Sequence, residues 1–286
     1  MRVERAPRPW NQPGMTLPDF LVIGAQRAGT TWLDETLRSH PEILMARHRK
    51  EVHFFDQNFD SGADWYGSFF TDIPERISRV GETTPHYLYH PDVAARVAAL
   101  LPDCQLIAIL RNPVDRAYSQ YGHNVKSKGW AFSFEEALER EPQVLERGRY
   151  MHQLRRYLRF FPRDRLLVLI LEEATRDARS ATVEVAGFLG VGAEGFVWPE
   201  SKANASYVPR FARAYTAARS TGRMMRSNGL DVVVEGFKRA GIPRVFGSRG
   251  RLESMSDETR TELAAFYSSD RRELEDFLGR EIALWD

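Results

Sequence analysis

Phe20-Leu21-Val22-Ile23-Gly24-Ala25-Gln26-Arg27-Ala28-Gly29-Thr30-Thr31 is the stretch on which the fold turns. An unbroken apolar run ending at a glycine suits a strand buried on both faces, as a parallel sheet requires. Beyond the turn, Thr31 to Ser39 reads as a helix with Trp32, Leu33 and Leu37 on one side. Strand, glycine-bearing turn and helix in this order gather backbone N–H groups and the positive end of the helix dipole at one point, where an anion binds. Thr30 and Thr31 offer hydroxyls at the helix start, and Arg27 adds a fixed positive charge. Gln26, Arg27, Ala28, Gly29, Thr30 and Thr31 are therefore the candidate phosphate-binding residues. The competing reading is an ordinary strand–helix turn with a solvated arginine.

The same alternation continues on the C-terminal side. Arg79-Val80 is expected to end a short strand, and Asp92 to Leu101 forms an amphipathic helix that stops before Pro102. Gln105 to Leu110 is a second buried strand, followed at once by the helix-start signal Asn112-Pro113. Phe134–Glu141, Tyr150–Phe161 and Ala174–Leu189 read as helices, and Leu166–Leu171 as a third buried strand. Ser256-Asp257-Glu258 caps a last helix running to about Gly279. Strands alternating with helices predict a single α/β domain over residues 19–286, with a central parallel sheet flanked by helices. Residues 1–18, rich in Pro and Arg, read as a loose arm, and residues 203–247 as a helical insert or acceptor-side lid.

Charge is nearly balanced, with 40 Lys and Arg against 39 Asp and Glu, which speaks against a protein that coats nucleic acid. Cys104 is the single cysteine, so neither an intrachain disulfide nor a cysteine-based metal site is expected. The first residues carry no apolar signal segment, and the apolar runs are too short to cross a bilayer. A cytoplasmic protein without integral membrane association is the expectation.

The turn is not a standard triphosphatase loop, because it lacks the Gly-Lys-Ser/Thr ending. The strand LIAIL is followed by Arg111 where a magnesium-holding Asp would stand. A phosphate ligand handled without a metal is the expectation, which suits sulfuryl transfer better than phosphoryl transfer. GAQRAGTT resembles the 5'-phosphosulfate loop of sulfotransferases that use 3'-phosphoadenosine-5'-phosphosulfate (PAPS). LIAILRNPVDRAYSQY is similar to the 3'-phosphate motif of that family, and the resemblance assigns the 3'-phosphate to Arg111 and Ser119. Ser248-Arg249-Gly250-Arg251 resembles the late loop that closes over the same phosphate, which adds Arg249, Gly250 and Arg251. The resemblance implies the P-loop nucleotide-hydrolase-like sulfotransferase fold, PAPS as donor and PAP as product.

Lys50-Glu51-Val52-His53-Phe54-Phe55-Asp56 crowds ionisable groups among aromatics. Alternation along an extended stretch would set Glu51, His53 and Phe55 on one side, with desolvation raising the Glu51 pKa toward that of a general base. A strand with a buried, hydrogen-bonded His53 fits these residues equally well. Together with Trp65-Tyr66, KEVHFFD is similar to the segment of heparan-sulfate-type and related bacterial sulfotransferases. That similarity implies Glu51 as catalytic base and His53 as its partner in placing the acceptor, with Asp56 orienting them. Arg27 is expected to stabilise the transferring group. Carbohydrate-acting relatives often carry Glu-Lys-Thr-Pro where this chain has Glu82-Thr83-Thr84-Pro85. Either Arg27 or Lys50 then supplies the missing charge, or the acceptor is not a sulfated polysaccharide. The expected acceptor is a hydroxyl, less readily an amine, of a small molecule, lipid or carbohydrate. The rival functions are a metal-dependent nucleotide kinase with an aberrant loop and a nucleotide-binding protein without chemistry.

Overall fold

The computed structural model describes residues 16–47, 49–196 and 254–285. Among them, strands β1 (Phe20–Gly24), β2 (Ile43–Met45), β3 (Arg79–Thr83), β4 (Gln105–Leu110) and β5 (Leu166–Ile170) form one sheet in the order β2-β3-β1-β4-β5. Every pairing is parallel. The helices are α1 (Thr30–Ser39), α2 (Phe54–Gln57), α3 (Gly62–Gly67), α4 (Val93–Leu100), α5 (Pro113–Lys128), α6 (Phe134–Arg140), α7 (Gln143–Glu146), α8 (Tyr150–Leu158), α9 (Leu171–Arg176), α10 (Ala178–Leu189) and α11 (Asp257–Leu278). The described residues fall into two compact units, the first drawn from 1–113, 149–201 and 268–286 and the second from 114–148 and 202–267.

The first unit holds the sheet. Successive residues of β1 feed opposite faces: Leu21 and Ile23 join Val97 and Leu154 on one side, while Phe20 and Val22 join Leu33, Leu37 and Val185 on the other. Because both faces of the sheet are covered, β1, β5 and β4 beyond Gln105 are apolar and read as unbroken hydrophobic runs, whereas β3 carries Arg79, Glu82 and Thr83. Fully burying each such Val, Leu or Ile side chain contributes about 1.5–3 kcal/mol.

The second unit is helical. Val114, Ala117, Tyr121 and Val125 of α5 pack with Phe134, Val144, Leu263 and Tyr267. A capping box between Ser133 and Glu136 opens α6. The fully buried Arg116 donates to Gln120 Oε1 at 2.6 Å and to the carbonyl of Val144.

Several expectations change. Arg79-Val80 begins β3 instead of ending a strand, and β2 was not anticipated. The helix expected over Ala174–Leu189 is two, α9 and α10, broken at Asp177. The Asp177 carboxylate accepts from the Ser180 amide at 2.9 Å and so caps α10. The insert at 203–247 and residues 1–15 of the arm lie outside the described residues.

Candidate active site

Parallel strands deliver their following loops to one edge, and ligands bind there beside the strand at which the order reverses. That strand is β1, flanked by β3 and β4. Its carboxyl end leads into the turn before α1, β2 leads toward Lys50–Asp56, β3 into Thr84–His86, and β4 into Arg111. The sequence motifs therefore leave the sheet at the same edge.

The turn is pinned to β4 by the Ala25 amide, which donates to the carbonyl of Ile109 at 2.8 Å. Gly29 has φ +90°, a left-handed backbone that favours glycine, and a Cβ there would crowd the Leu171 side chain. No side chain caps the start of α1 and no acidic residue stands in its first turn. The first-turn N–H groups thus face no competing carboxylate, as an anion site requires. Ala28 and Thr30 are buried, Gln26 and Gly29 half-buried, Arg27 and Thr31 exposed.

Lys50 joins this turn to the acidic segment. Its Nζ donates to Thr31 Oγ1 at 2.8 Å and lies 3.7 Å from Glu51 Oε1. His53 Nε2 is 3.6 Å from Glu51 Oε2, and His53 Nδ1 is hydrogen-bonded to Asp56 Oδ2 at 2.8 Å. His86 Nδ1 also lies 2.8 Å from that oxygen. The Asp56 side chain is fully buried. Glu51, His53 and Asp56 thus stand together as expected from sequence, but not on an extended strand. Glu51 (φ 63°) and His53 (φ 57°) are left-handed, and Phe54 begins the single turn of α2. Among the described residues four non-glycines adopt positive φ, and three of them are the assigned Arg27, Glu51 and His53. Such backbone costs about 1–3 kcal/mol per residue and collects at functional sites.

The protonation states also correct the sequence reading. The contact with His53 outweighs burial and, with Lys50 adding to it, holds the Glu51 carboxyl below its ordinary value, where desolvation had been expected to raise it. Hydrogen bonding to Asp56, then to Glu51, pushes His53 up to about 9 against its partial burial. Burial works to raise Asp56, but the contacts and charges of His53 and His86 outweigh it and leave the carboxyl well below the usual range. At neutral pH these directions leave an imidazolium held between two carboxylates, of which Glu51 is the one that reaches solvent.

Beneath this segment lies Glu82, which the sequence reading passed over as part of a motif. Its side chain is fully buried; Oε1 accepts from Tyr66 Oη at 2.7 Å and Tyr87 Oη at 2.8 Å, and Oε2 from Thr84 Oγ1 at 2.9 Å. Burial holds its pKa above the ordinary value, against the pull of these donors. Tyr66 also stacks on Phe54, with centroids 4.3 Å apart and planes 5° from parallel. Thr83 is buried, so Lys50 is the lysine that reaches the phosphate turn among the described residues.

Arg111 follows β4 directly, half-buried, and its carbonyl accepts from Tyr150 Oη at 2.8 Å. Tyr150 opens α8, where the Met151 and His152 amides donate to Asp270 at 3.0 and 3.1 Å. Glu172 accepts from the Asn112 amide and from the Trp285 indole, both at 2.9 Å. Ser119 lies half-buried on α5 in the second unit. Arg249, Gly250 and Arg251 lie outside the described residues. No helix among the described residues is long and apolar enough to cross a membrane.

Comparison with known proteins agrees with this arrangement. Among curated relatives, the membrane-associated sulfotransferase kil1 of Dictyostelium discoideum is 37% identical over 141 residues, 46% of this chain and 30% of that protein. Human heparan sulfate glucosamine 3-O-sulfotransferase 6 is 32% identical over 183 residues, 61% of this chain and 52% of that protein. The chain thus spans about half or less of the length of these relatives. The crystal structure of a sulfotransferase from Alicyclobacillus acidocaldarius superposes with a TM-score of 0.69 at 26% identity, over 94% of this chain and 99% of that one. Mouse sulfotransferase SULT7A1, solved with PAP, shares the fold at a TM-score of 0.51 and 16% identity, over 91% of this chain and 85% of that one. Residues 17–207 match the family described as the sulfotransferase domain, a span that takes in the phosphate turn, the Lys50–Asp56 segment and Arg111, and the chain belongs to the sulfotransferase family.

Proposed function

We propose that this chain transfers the sulfuryl group of PAPS to a hydroxyl, less readily an amine, of a small-molecule, lipid or carbohydrate acceptor, and releases PAP. The observation that carries this reading is the 2.8 Å hydrogen bond from Lys50 to Thr31, which sets Glu51 beside the phosphate turn. The residues present suit the donor's anionic groups: an uncapped helix start, a left-handed glycine at the turn, and hydroxyls at Thr30 and Thr31. Arg111, Ser119 and the loop of Arg249, Gly250 and Arg251 would hold the 3'-phosphate. The donor supplies an activated sulfur whose bond to the 5'-phosphate oxygen breaks with the electron pair leaving on PAP. Glu51 takes the acceptor proton as the new oxygen–sulfur bond forms, and the His53 imidazolium keeps the Glu51 carboxylate oriented. Lys50, Arg27 and the first-turn amides of α1 face the charge that develops on the leaving oxygen. A cytoplasmic location fits the lone, buried thiol of Cys104, and cell fractionation tests it.

The decisive experiment screens hydroxylated lipids, sugars and phenolic metabolites with labelled PAPS, using wild type and Glu51→Gln. Glu51→Gln should lower kcat by a factor on the order of 10² to 10⁴ while PAP affinity holds, because no phosphate contact is assigned to that side chain. A near-normal kcat in the variant overturns the role of Glu51. Turnover of ATP that EDTA abolishes and magnesium restores would favour the kinase reading.

A further inference from the structure

Glu82 is a buried ionisable group that the proposed reaction does not use, and the backbone around it explains why it is there. Three consecutive amides of this segment end on one network. The His53 amide donates to Thr84 Oγ1 at 3.4 Å, and the Phe54 and Phe55 amides to Tyr87 Oη at 2.9 and 3.3 Å. Both hydroxyls then donate onward to Glu82, and Tyr66 Oη adds a further donor. A carboxylate offers about four lone-pair sites, and three hydroxyl donors converge on them here. The segment it gathers is the one in which Glu51 and His53 are left-handed, and the Glu51 amide is held as well, by the Thr83 carbonyl at 2.9 Å.

We propose that Glu82 is a positioning residue for sulfuryl transfer, acting through Tyr87 and Thr84 to hold the left-handed backbone of Glu51–His53 and thereby the spacing of Glu51, His53 and the phosphate turn. The proposal rests on the function proposed above. It assigns Glu82 no contact with donor or acceptor.

Tyr87→Phe removes one hydroxyl and keeps the ring, so it tests the network even if Glu82→Gln fails to fold. Three quantities are measured on the folded protein: PAP affinity by calorimetry, kcat, and the titration of His53 by NMR. His53 is faced by Glu51 and Asp56, with His86 and Lys50 nearby, and its titration near pH 9 reports whether the two carboxylates keep their places. In Tyr87→Phe, PAP affinity should stay within about twofold, kcat should fall at least about tenfold, and the His53 midpoint should move down toward about 6.5. Thr84→Ser should retain the wild-type titration, and Thr84→Val should not. An unchanged His53 midpoint in folded Tyr87→Phe overturns the proposal, whatever happens to kcat. The NMR measurement needs no turnover, so a wild type that fails to use PAPS would sink the functional reading and still leave the positioning role decided.

Discussion

Lys50 Nζ donates to Thr31 Oγ1 at 2.8 Å while standing 3.7 Å from Glu51 Oε1. One side chain thus touches the turn assigned to the donor's phosphate and the carboxylate assigned to the acceptor's proton. In the function proposed above, charge leaving toward the phosphate and a proton leaving the acceptor would meet at this ammonium. Thr83 cannot share the task, since its side chain is short and buried.

Lys50→Met should therefore depress turnover more than binding. A cation about 4 Å from a unit charge gains about 4 kcal/mol at an effective dielectric near 20. Only the charge that develops on the way to the transition state counts toward kcat, so a fall of about 10- to 100-fold is expected. PAP affinity should drop by less than kcat. Steady-state kinetics with calorimetry checks the split, and equal losses in both would make Lys50 a simple binding residue.

Gly29→Ala tests the turn itself. The added methyl would meet Leu171 Cδ1 at 2.4 Å on a backbone with φ +90°. Strain and overpacking together should cost about 1–4 kcal/mol of stability. The shifted amides should also weaken PAP binding. Thermal melts with and without PAP measure both, and an unchanged melting temperature would contradict the packing described here.

The nucleotide assignment predicts that PAP binds far more tightly than AMP. Arg111 and Ser119 are assigned to the 3'-phosphate, and a charge-assisted hydrogen bond contributes about 1.5–3 kcal/mol. A preference on the order of tenfold to a hundredfold or more follows. Arg111→Ala should erase most of the difference. Equal affinity of the wild type for PAP and AMP, seen by calorimetry, would refute the assignment.

His53 makes stability depend on pH in a defined direction. Its pKa is raised from 6.5 to about 9 on folding, chiefly by Asp56 and then by Glu51. The folded state therefore binds the proton more tightly, and the gain is present in full below about pH 6.5 and lost as pH rises through about 9. The melting-temperature difference between wild type and His53→Asn should be largest near pH 6 and shrink steadily toward pH 9.5. A difference that stays flat across that range would show that the imidazolium is not held as described.

The strand, turn and helix from Phe20 to Ser39 were legible because their determinants are local. An apolar run, a glycine and paired threonines lie within twelve residues, and both faces of β1 are buried, so no polar alternation blurs the strand. In the Lys50–Asp56 segment the sequence shows the gathering of ionisable groups and not its shape. Its alternation of polar and apolar residues imitates a strand, whereas the left-handed turns at Glu51 and His53 come from amides captured by Tyr87 and Thr84, more than thirty positions away. The Glu51 pKa was misjudged for the same reason: the His53 ring sits close enough to outweigh burial, a distance no spacing rule supplies. Glu82 was overlooked because its burial depends on Tyr66 and Tyr87 arriving from either side of it in sequence. Strand β2, three residues long, is too short to leave a periodic signal.

The brace behind Arg111 bears on how the protein is made. A ribosome that has delivered residues up to 196 has released all five described strands, the phosphate turn and Glu51. It has not yet released Asp270, which caps α8, or Trp285, which shares Glu172 with the Asn112 amide. The nascent chain can close its sheet early, but the tip of β4 stays unsupported until the far end of α11 folds back upon it. The support of Arg111 is thereby deferred until residues 270 to 285 have emerged, and a polypeptide stalled or clipped before residue 270 would carry the Glu51 carboxylate without a firmly held Arg111 to answer it.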